Sequence, residues 1–363
     1  MSKIKKIGIL TGGGDCPGLN AVIRAITRTA ILKYGIEVEG FLNGYKGLYN
    51  GDTVKLDMDS TSGILHQGGT IIYTSNKTNL FKMPFKKDGE MEYKDLSDVG
   101  VENIKKAGMD ALIIIGGDGT LTSARDFHRK GVNIIAVPKT IDNDLACTDI
   151  TFGFDTAVAV ATEALDRLHT TAASHHRIMC LEVMGRYAGW IALDAGLAGG
   201  ADVILIPEIP YDINKVAEKI NQRREAGKDF SIVVVAEGAK SISGEMVVKN
   251  VVEDSPDPIR LGGIADQVAS QLEELVGLES RATILGHLQR GGSPTAYDRN
   301  ISTRYGKAAV DLAINGNFGS MVTLKGNKTS SALLEDVIGQ LKNVDPNGEK
   351  VETAKSIGTS FGD

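Results

Sequence analysis

Short runs of consecutive apolar residues recur along the chain, and each is followed by a turn and then by a segment with helical spacing. Continuous apolar runs, unlike alternating ones, are typical of strands that are buried on both faces of a parallel sheet. The pattern therefore predicts buried parallel strands at Lys6–Leu10, Ala111–Ile115, Ile134–Val137, Ile178–Val183, Val203–Ile206 and Ile232–Ala236.

The segments between these runs carry apolar residues one helical turn apart, as at Val22, Ile26 and Ala30. This spacing predicts helices at Leu19–Ile31, Thr156–Leu168 and Ile213–Arg224. Alternation of strands and helices along the chain predicts an α/β fold with two doubly wound, mostly parallel sheets, each in a Rossmann-like three-layer domain.

Two polar segments interrupt this pattern. Lys240–Gly263 is rich in turn-forming residues, and we expect it to be an excursion between elements. The residues from about Asp345 onward are also polar, and we expect them to form a surface tail.

The composition narrows the class of protein. The chain has 363 residues, 42% hydrophobic and 24% charged, which suits two globular domains or one large α/β unit. Its 40 Lys and Arg against 46 Asp and Glu leave a net charge of −6, which argues against nucleic acid as a partner. No apolar run approaches the ~18 residues of a membrane helix. Three widely spaced cysteines favour the reducing cytoplasm over a disulfide-bonded, secreted protein.

Glycine is over-represented, with 43 residues, or about 12% against a usual ~7%. The first cluster, Thr11–Asn20 (TGGGDCPGLN), lies between a predicted strand and a predicted helix. Glycines there let backbone N–H groups approach an anion, to which the helix N-terminus adds partial positive charge. Pro17 stands where a dinucleotide-binding G-x-G-x-x-G needs glycine, and the Walker spacing is absent. A tight strand-to-helix turn without a ligand is the alternative.

Two further clusters follow the next predicted strands. Gly116–Thr120 (GGDGT) places Asp118 where a carboxylate can hold Mg²⁺, although a structural turn with a capping Asp is the alternative. Pro138–Asp144 (PKTIDND) carries Asp142 and Asp144, which could divide the tasks of base and metal ligand. We expect both loops to reach the same edge of one sheet.

A dispersed set of basic and polar residues lies near predicted strand ends in the second half. It comprises Arg177, Met184–Arg186 (MGR), Glu237 and Arg281–Ser293 (RATILGHLQRGGS). Arginine is a natural partner of a phosphate dianion because the guanidinium offers paired N–H donors. In an acidic chain this clustering indicates an anion pocket, whereas any one of these arginines alone is more typical of a solvated surface.

The motifs GGGDCPGLNAVIR, GGDGT, PKTIDND, EVMGRYAGW and ATILGHLQRGG occur in the order and spacing of the phosphofructokinases, from about Ile7 to Ser320. The chain resembles the phosphofructokinase A type. The resemblance implies a kinase that phosphorylates the 1-hydroxyl of fructose 6-phosphate with ATP and Mg²⁺, the committed step of glycolysis. It also implies Asp142 as the base, Asp118 as the Mg²⁺ residue, and Thr140 and Arg186 as groups that stabilise the transferring phosphoryl.

The resemblance also implies two sets of binding residues. Those of the phosphoryl-donor site are Gly14, Asn76, Lys77, Gly117, Asp118, Gly119 and Thr120. Those of the sugar-phosphate site are Thr140, Ile141, Asp142, Arg177, Met184, Gly185, Arg186, Glu237, Arg281, His287, Leu288, Gln289 and Arg290.

The family's architecture predicts the domain boundaries and the assembly. Residues 1–153 with about 289–340 would form the donor domain, and 154–288 with 341–363 the fructose 6-phosphate domain, with the active site in the cleft between them. Arg177 and Arg281 match arginines that reach a neighbouring subunit, which implies a homotetramer or homodimer.

The phosphoryl donor is less clearly indicated. Members that use ATP typically carry glycine both after GGD and before TIDND, whereas members that use pyrophosphate carry Asp and Lys. This chain has Gly119 but Lys139, a combination of the family's mixed-substrate group. An Asp at the first position would repel the α-phosphate by about 4 kcal/mol at ~4 Å in an effective dielectric of ~20. Gly119 removes that obstacle, so we favour ATP and keep pyrophosphate as the alternative.

Other classes of protein are weaker candidates. A non-catalytic sugar-phosphate sensor on this fold would be expected to lose Asp118 or Asp142, and both are present. Lipid and dinucleotide kinases share GGDGT alone among these motifs. The segment Thr70–Phe81 departs from the family, because Asn76 stands where many members carry an arginine that contacts phosphates, and the adjacent Lys77 could supply the charge but not the bidentate geometry.

Overall fold

The fold was analysed in a computed structural model that describes residues 4–87, 90–244, 248–251 and 259–363. Its strands are β1 Lys6–Thr11, β2 Glu37–Phe41, β3 Thr53–Leu56, β4 Met83–Lys87, β5 Glu90–Lys94, β6 Ala111–Gly116, β7 Ile134–Pro138, β8 Ile178–Val183, β9 Val203–Leu205, β10 Ser231–Ala236, β11 Val248–Val251, β12 Ile259–Leu261, β13 Ser280–Ile284, β14 Ser320–Lys325 and β15 Lys328–Leu333.

The α-helices are α1 Leu19–Tyr34, α2 Tyr45–Asn50, α3 Ser97–Lys106, α4 Asp118–Arg129, α5 Phe154–His175, α6 Trp190–Ala198, α7 Ile213–Glu225, α8 Ile264–Val276, α9 Ala296–Ile314, α10 Leu334–Val337 and α11 Glu349–Ser356. Short 3₁₀ helices span Leu80–Lys82 and Gly286–Arg290.

The first sheet has seven strands in the order β15-β14-β7-β6-β1-β2-β3. Its five inner strands run parallel, and the edge strands β3 and β15 are antiparallel to their neighbours. The side chains of β6 and β7 are fully buried because helices cover both faces of the sheet, as the continuous apolar runs predict.

The second sheet has four parallel strands in the order β13-β8-β10-β9. Every residue of β8 and β10 is buried. The chain crosses between the two sheets more than once, because β14 and β15, which follow the strands of the second sheet in the sequence, belong to the first sheet. The predicted fold class, α/β with two doubly wound and mostly parallel sheets, is confirmed.

The sequence pattern located the central strands better than the edges. The predicted strands correspond to β1, β6, β7, β8, β9 and β10. The strand β2 alternates polar and apolar residues, with Glu37 exposed and Val38 buried, since it lies near the edge of the sheet. Such short alternating strands lack the continuous apolar signal on which the prediction rested.

The predicted helices begin close to the observed ones but end too early. The helix predicted at Thr156–Leu168 extends over Phe154–His175. Its first turn is capped from another element, because the Asp298 carboxylate accepts hydrogen bonds from Gly153 N at 2.9 Å and Thr156 N at 2.8 Å. A cap supplied by a residue so distant in the chain leaves no local sequence signal.

The predicted surface tail after Asp345 is wrong. The helix α11 forms there, with Val351 and Ala354 buried, and Phe361 is also buried. Ser360 pairs with Val203 of β9. A few apolar side chains in a polar segment are enough to dock it on an existing sheet edge. In Lys240–Gly263 the described residues include β11 and β12, paired antiparallel, and the remainder of that prediction lies outside the described residues.

Candidate functional site

The loops that follow β1, β6 and β7 meet at one edge of the first sheet because these strands are parallel neighbours. Gly12 N donates to Ile115 O at 3.0 Å, and Lys139 N donates to Gly116 O at 2.9 Å. The loops border a cavity of about 470 Å³. The cavity is lined by Gly13, Gly14, Tyr45, Ser75, Asn76, Thr78, Asn79, Gly117, Asp118, Gly119, Thr120, Thr122, Ser123, Lys139, Thr140, Asp142 and Asp144.

The glycines of this edge allow very close packing. A Cβ at Gly12 or at Gly116 would lie 2.6 Å or 2.3 Å from the Thr120 side chain. Thr120 is therefore buried between the two glycines, and its carbonyl accepts a hydrogen bond from the Tyr45 hydroxyl at 2.8 Å. The side chain of Thr120 thus supports the cavity wall.

The GGDGT segment is a helix start and not an extended loop. Gly117 is the N-cap residue, and Asp118, Gly119 and Thr120 form the first turn of α4. The N-terminus of α4, with its free backbone N–H groups, therefore faces the cavity, which is an arrangement that favours phosphate. A Cβ at Gly119 would enter open space, and Gly119 lines the cavity.

Asp118, Asp142 and Asp144 border the same cavity. Asp118 Oδ1 accepts from Gly339 N at 3.3 Å. Burial, together with the neighbouring Asp142 charge, raises the pKa of Asp144 to about 6. Burial also raises the pKa of Asp142, and the Glu237 charge acts in the same direction, although Arg290, Lys139 and Arg186 oppose it. The buried Asp142 Oδ1 has no hydrogen-bond partner among the described residues.

The loop that carries these carboxylates has a defined backbone. Thr140 Oγ1 accepts from Asp142 N at 3.1 Å, and Thr140 O accepts from the Thr151 hydroxyl at 2.7 Å. Asn143 has a left-handed φ of 52°, and its side-chain oxygen accepts from Thr151 N at 3.1 Å. Ile141 is fully buried in the core, so only its backbone is available to a ligand.

Charged groups of the second sheet approach the other side of Asp142. Glu237 follows β10, and burial together with the Glu182 charge raises the pKa of its carboxyl. Arg290, at the end of the second 3₁₀ helix, donates to Asp15 O at 3.2 Å. The structure therefore brings Asp142, Arg186, Glu237 and Arg290 together from four separate segments.

The remaining residues of this side have mixed positions. Gln289 is fully buried, accepts from Met184 N at 3.2 Å and donates to Gly286 O at 3.2 Å, so it joins the 3₁₀ helix to the MGR loop. Gly185 has φ 135° and approaches Ala188 O closely. His287 and Leu288 are exposed to solvent.

Lys139 lies between the first glycine loop and the TIDND loop. The side chain is 4% exposed, and its Nζ donates to Gly14 O at 2.5 Å. Burial lowers the pKa of this lysine. Lys139 therefore ties the first glycine loop to the TIDND loop and places a cation beside the cavity.

Arg177 and Arg281 lie at the opposite end of the second sheet from the MGR loop. Arg177 directly precedes β8, whereas Met184–Arg186 follow its last residue. Arg177 Nε donates to Glu279 Oε2 at 2.7 Å, and Arg281 also pairs with Glu279. The structure therefore does not bring these two arginines to the cavity of their own chain.

The segment 74–79 supplies cavity residues that sequence reasoning missed. Thr74 Oγ1 donates to Gly13 O at 2.7 Å, and Gly13 N donates to Ser75 O at 3.2 Å. Asn76 lines the cavity, whereas the exposed Lys77 does not. The concentration of Ser, Thr and Asn in this segment is the sequence signal that could have indicated these cavity residues. The lining residues absent from the prediction are Gly13, Tyr45, Ser75, Thr78, Asn79, Thr122 and Ser123.

The carboxylates that border the cavity suit a metal ion that is also bound by substrate phosphates. Among the described residues no group of three or more His, Cys, Asp and Glu side chains is arranged to hold a metal ion alone. Mg²⁺ commonly takes one or two carboxylates together with substrate phosphate oxygens and water. The three aspartates on one cavity, with the unpartnered Oδ1 of Asp142, fit that chemistry. No helix in the described part of the chain is long and apolar enough to cross a membrane.

The family model described as Phosphofructokinase matches residues 6–313. The chain belongs to the phosphofructokinase family. It is 68% identical, over all of both chains, to a protein of Clostridium perfringens named ATP-dependent 6-phosphofructokinase 2. A solved structure of Pichia pastoris phosphofructokinase superposes with a TM-score of 0.77 at 34% identity, covering 93% of this chain. This chain spans 36% of the length of that yeast chain. The resemblance inferred from the motifs is confirmed.

Overall identity does not separate the phosphoryl donors named in this family. A Streptomyces coelicolor protein named pyrophosphate–fructose 6-phosphate 1-phosphotransferase is 50% identical, over 94% of this chain and 96% of its own. The Chloroflexus aurantiacus protein named ATP-dependent 6-phosphofructokinase is 51% identical, over 100% of this chain and 99% of its own. The side chains of the cavity therefore bear more directly on the phosphoryl donor of this chain than overall identity does.

Proposed function

We propose that this chain is an ATP-dependent 6-phosphofructokinase that transfers a phosphoryl group to the 1-hydroxyl of fructose 6-phosphate. The observation that carries the proposal is the position of Asp142. Its carboxylate borders the cavity formed by the glycine loops, and Arg186, Glu237 and Arg290 approach it from the other sheet. A donor and an acceptor could therefore meet at this carboxylate.

Asp142 would act as the general base. Attack by a sugar hydroxyl requires that its proton be accepted, and a positioned carboxylate contributes on the order of 10²–10⁴ to such a step. The free Oδ1 is the atom available for that proton. Burial raises the pKa of Asp142, which makes it a stronger base than an exposed aspartate.

The neighbouring groups would stabilise the charge that is transferred. Phosphoryl transfer depends mainly on positioning and on electrostatic stabilisation. The Thr140 hydroxyl accepts a hydrogen bond from Asp142 N and the Arg186 charge acts on Asp142, so both groups would contact the transferring group. The N-terminus of α4 would bind the donor phosphates through backbone N–H groups. Asp118 would hold Mg²⁺, which supplies positive charge at the donor phosphates, and Asp144 would assist through water.

Gly119 supports ATP as the donor. A Cβ there would meet no atom of another segment within 4 Å, and Gly119 lines the cavity, so the bulk of a nucleotide could be accommodated at this point. Lys139 supports the alternative of pyrophosphate, because its buried ammonium group adds a cation beside the donor phosphates. An Asp at position 119 would exclude a nucleotide by size and charge, and we take that to be a stronger effect than the cation that Lys139 adds. The Lys139 ammonium group is also already bonded to Gly14 O.

The binding site for the sugar phosphate would be completed by a neighbouring subunit. Arg186, Arg290 and Glu237 are supplied by the same chain, whereas Arg177 and Arg281 lie at the opposite end of the strands of the second sheet. A homodimer or homotetramer in which that end of the sheet faces another copy's cavity would bring the two arginines to a phosphate. We expect this assembly in the cytoplasm, where the three cysteines stay reduced.

Initial rates of fructose 1,6-bisphosphate formation test the proposal, with ATP and pyrophosphate compared at saturating fructose 6-phosphate and Mg²⁺. We expect ATP to support the higher kcat/KM. A higher value with pyrophosphate would overturn the assignment of the donor and move donor choice to Lys139. No turnover with either donor, with ligand binding retained, would point to a sugar-phosphate sensor instead.

A further inference from the structure

A short C-terminal segment, residues 341–344, runs across the back of the TIDND loop, and we call it the strap. Leu341 forms an antiparallel bridge with Leu145, and Lys342 N donates to Asp144 O at 2.8 Å. The strap is thus paired through its backbone with the loop that carries Asp142 and Asp144.

The side chain of Lys342 extends this pairing. Its Nζ donates to Asn143 Oδ1 at 2.8 Å, to Thr148 O at 3.0 Å and to Asp149 O at 2.9 Å. The three acceptors match the three N–H donors of an ammonium group. Asn143 lies between the two aspartates and holds a left-handed φ of 52°, so the loop conformation depends on what stabilises this residue.

The other side of the strap is anchored to the second sheet. The Trp190 indole N–H donates to Lys342 O at 2.7 Å, and Val344 N donates to Glu208 Oε1 at 2.8 Å. The same Glu208 carboxylate accepts from Gly189 N at 3.0 Å, three residues after Arg186. The strap therefore links the loop of Asp142 to the loop of Arg186.

We propose that Lys342 is a positioning residue, which through the strap sets Asp142 in register with Arg186 for phosphoryl transfer. The inference rests on the proposed function. Lys342 reaches the lining of the donor cavity through the loop, because its backbone N–H bonds to the carbonyl of Asp144 and its ammonium group to Asn143, so it acts on the loop and not on the substrate. Misplacement of a catalytic group by about 1 Å can cost ~10²-fold in rate.

Lys342→Met tests this role because it keeps most of the side-chain length and removes all three donors. We expect kcat to fall by about 10- to 100-fold while KM for both substrates stays within about 3-fold, since alignment matters in the transition state. Lys350→Met is the matched control. Lys350 lines the same 600 Å³ surface cavity as Lys342, but it pairs with Asp194 and is half exposed. Its variant should keep the wild-type kcat.

A double-mutant cycle identifies the partner. Asn143→Gly keeps the left-handed backbone accessible and removes the acceptor. If Lys342 acts through Asn143, the double variant should have a kcat within about 2-fold of the slower single variant. Multiplicative losses would overturn the proposed route. Trp190, the only tryptophan of the chain, lies 5.8 Å from Lys342 Nζ, so its fluorescence reports whether the strap has moved.

The outcomes separate the two proposals. An inactive wild-type enzyme refutes the proposed function, whereas an active wild type with an equally active, folded Lys342→Met variant overturns the role of Lys342. If Lys342→Met does not fold, Trp190→Phe decides, because it removes one strap hydrogen bond and retains an aromatic ring. A fall in kcat of about 3-fold or more at constant KM supports the proposal, and a wild-type kcat overturns it.

Discussion

The two sides of the site are built from different materials. The donor side consists of glycine backbone, a helix N-terminus and the hydroxyl and amide groups of the segment 74–79, around an open cavity. The acceptor side consists of charged side chains beside Asp142 and Asp144, which also line the cavity, and burial raises the pKa values of Asp142, Asp144 and Glu237. In the proposed function, the donor side would select by shape and general attraction for phosphate, whereas the acceptor side would hold the groups whose protonation and charge drive the reaction.

The difference predicts that loss of one acceptor-side carboxylate is the most damaging change. Asp142→Asn preserves size and removes the base, so we expect kcat to fall by about 10²–10⁴-fold. Steady-state kinetics with ATP measure this, and KM for fructose 6-phosphate should change little. Asp144→Asn is the matched control and should cost less. A similar loss in both variants would contradict the assignment of the base to Asp142.

On the donor side, a change in the shape of the cavity should alter which phosphoryl donor is used more than it alters the catalytic groups. Gly119→Asp introduces bulk and negative charge where the cavity is open, and we expect kcat/KM for ATP to fall by about 10²–10³-fold, from a repulsion of about 4 kcal/mol. The melting temperature should not fall, because an acidic residue suits the first turn of α4.

Gly119→Ala is the control for that variant, since its methyl group enters free space and should preserve ATP activity. If Gly119→Asp retains the wild-type kcat/KM for ATP, then position 119 does not border the bound nucleotide. Donor choice would then have to come from elsewhere in the cavity.

We expect Arg281 to serve the acceptor side of a neighbouring subunit. Arg281→Ala should raise KM for fructose 6-phosphate about 10-fold, the effect of one charge-assisted hydrogen bond. Stability should change little, because Arg281 is half exposed and surface ion pairs contribute about 0–1 kcal/mol. Mixing Arg281→Ala with Asp142→Asn and allowing subunits to exchange should restore some fully competent sites. Absence of any recovery in verified mixed oligomers would refute the shared site.

The smallest expected effect concerns pH. A base acts when deprotonated, so kcat/KM should fall as pH falls through the raised pKa of Asp142, and the acid limb should lie above the ordinary aspartate range near 3.8. Asp144→Asn removes a neighbouring negative charge and should move that limb to lower pH. A pH–rate profile checks both, and a limb that stays in place would show that the two carboxyls titrate independently.

Local sequence patterns located three of the loops that border the cavity. Continuous apolar runs identified β1, β6 and β7, and parallel strands bring their loops to one edge, so the convergence of GGGD, GGDGT and TIDND followed from the order of the motifs. The sequence also indicated Asp118 and Asp142. Lys77 is the exception among the predicted donor residues, because a neighbour along the chain can point away from a cavity that Asn76 lines.

Long-range contacts decided the rest. The polar composition of the last residues predicted a tail, yet Val351 and Phe361 are buried, Ser360 pairs with β9, and the strap that precedes these residues is bonded to the TIDND loop. The cap of α5 comes from Asp298 in α9, far along the chain. Burial, which raises the pKa of Asp144 to about 6, also depends on elements from both sheets. Sequence alone determines which residues can do chemistry, because residue type sets their donors, acceptors and charge. Only the tertiary structure decides which of them share a cavity and in what dielectric, because those depend on contacts between segments that the chain keeps far apart.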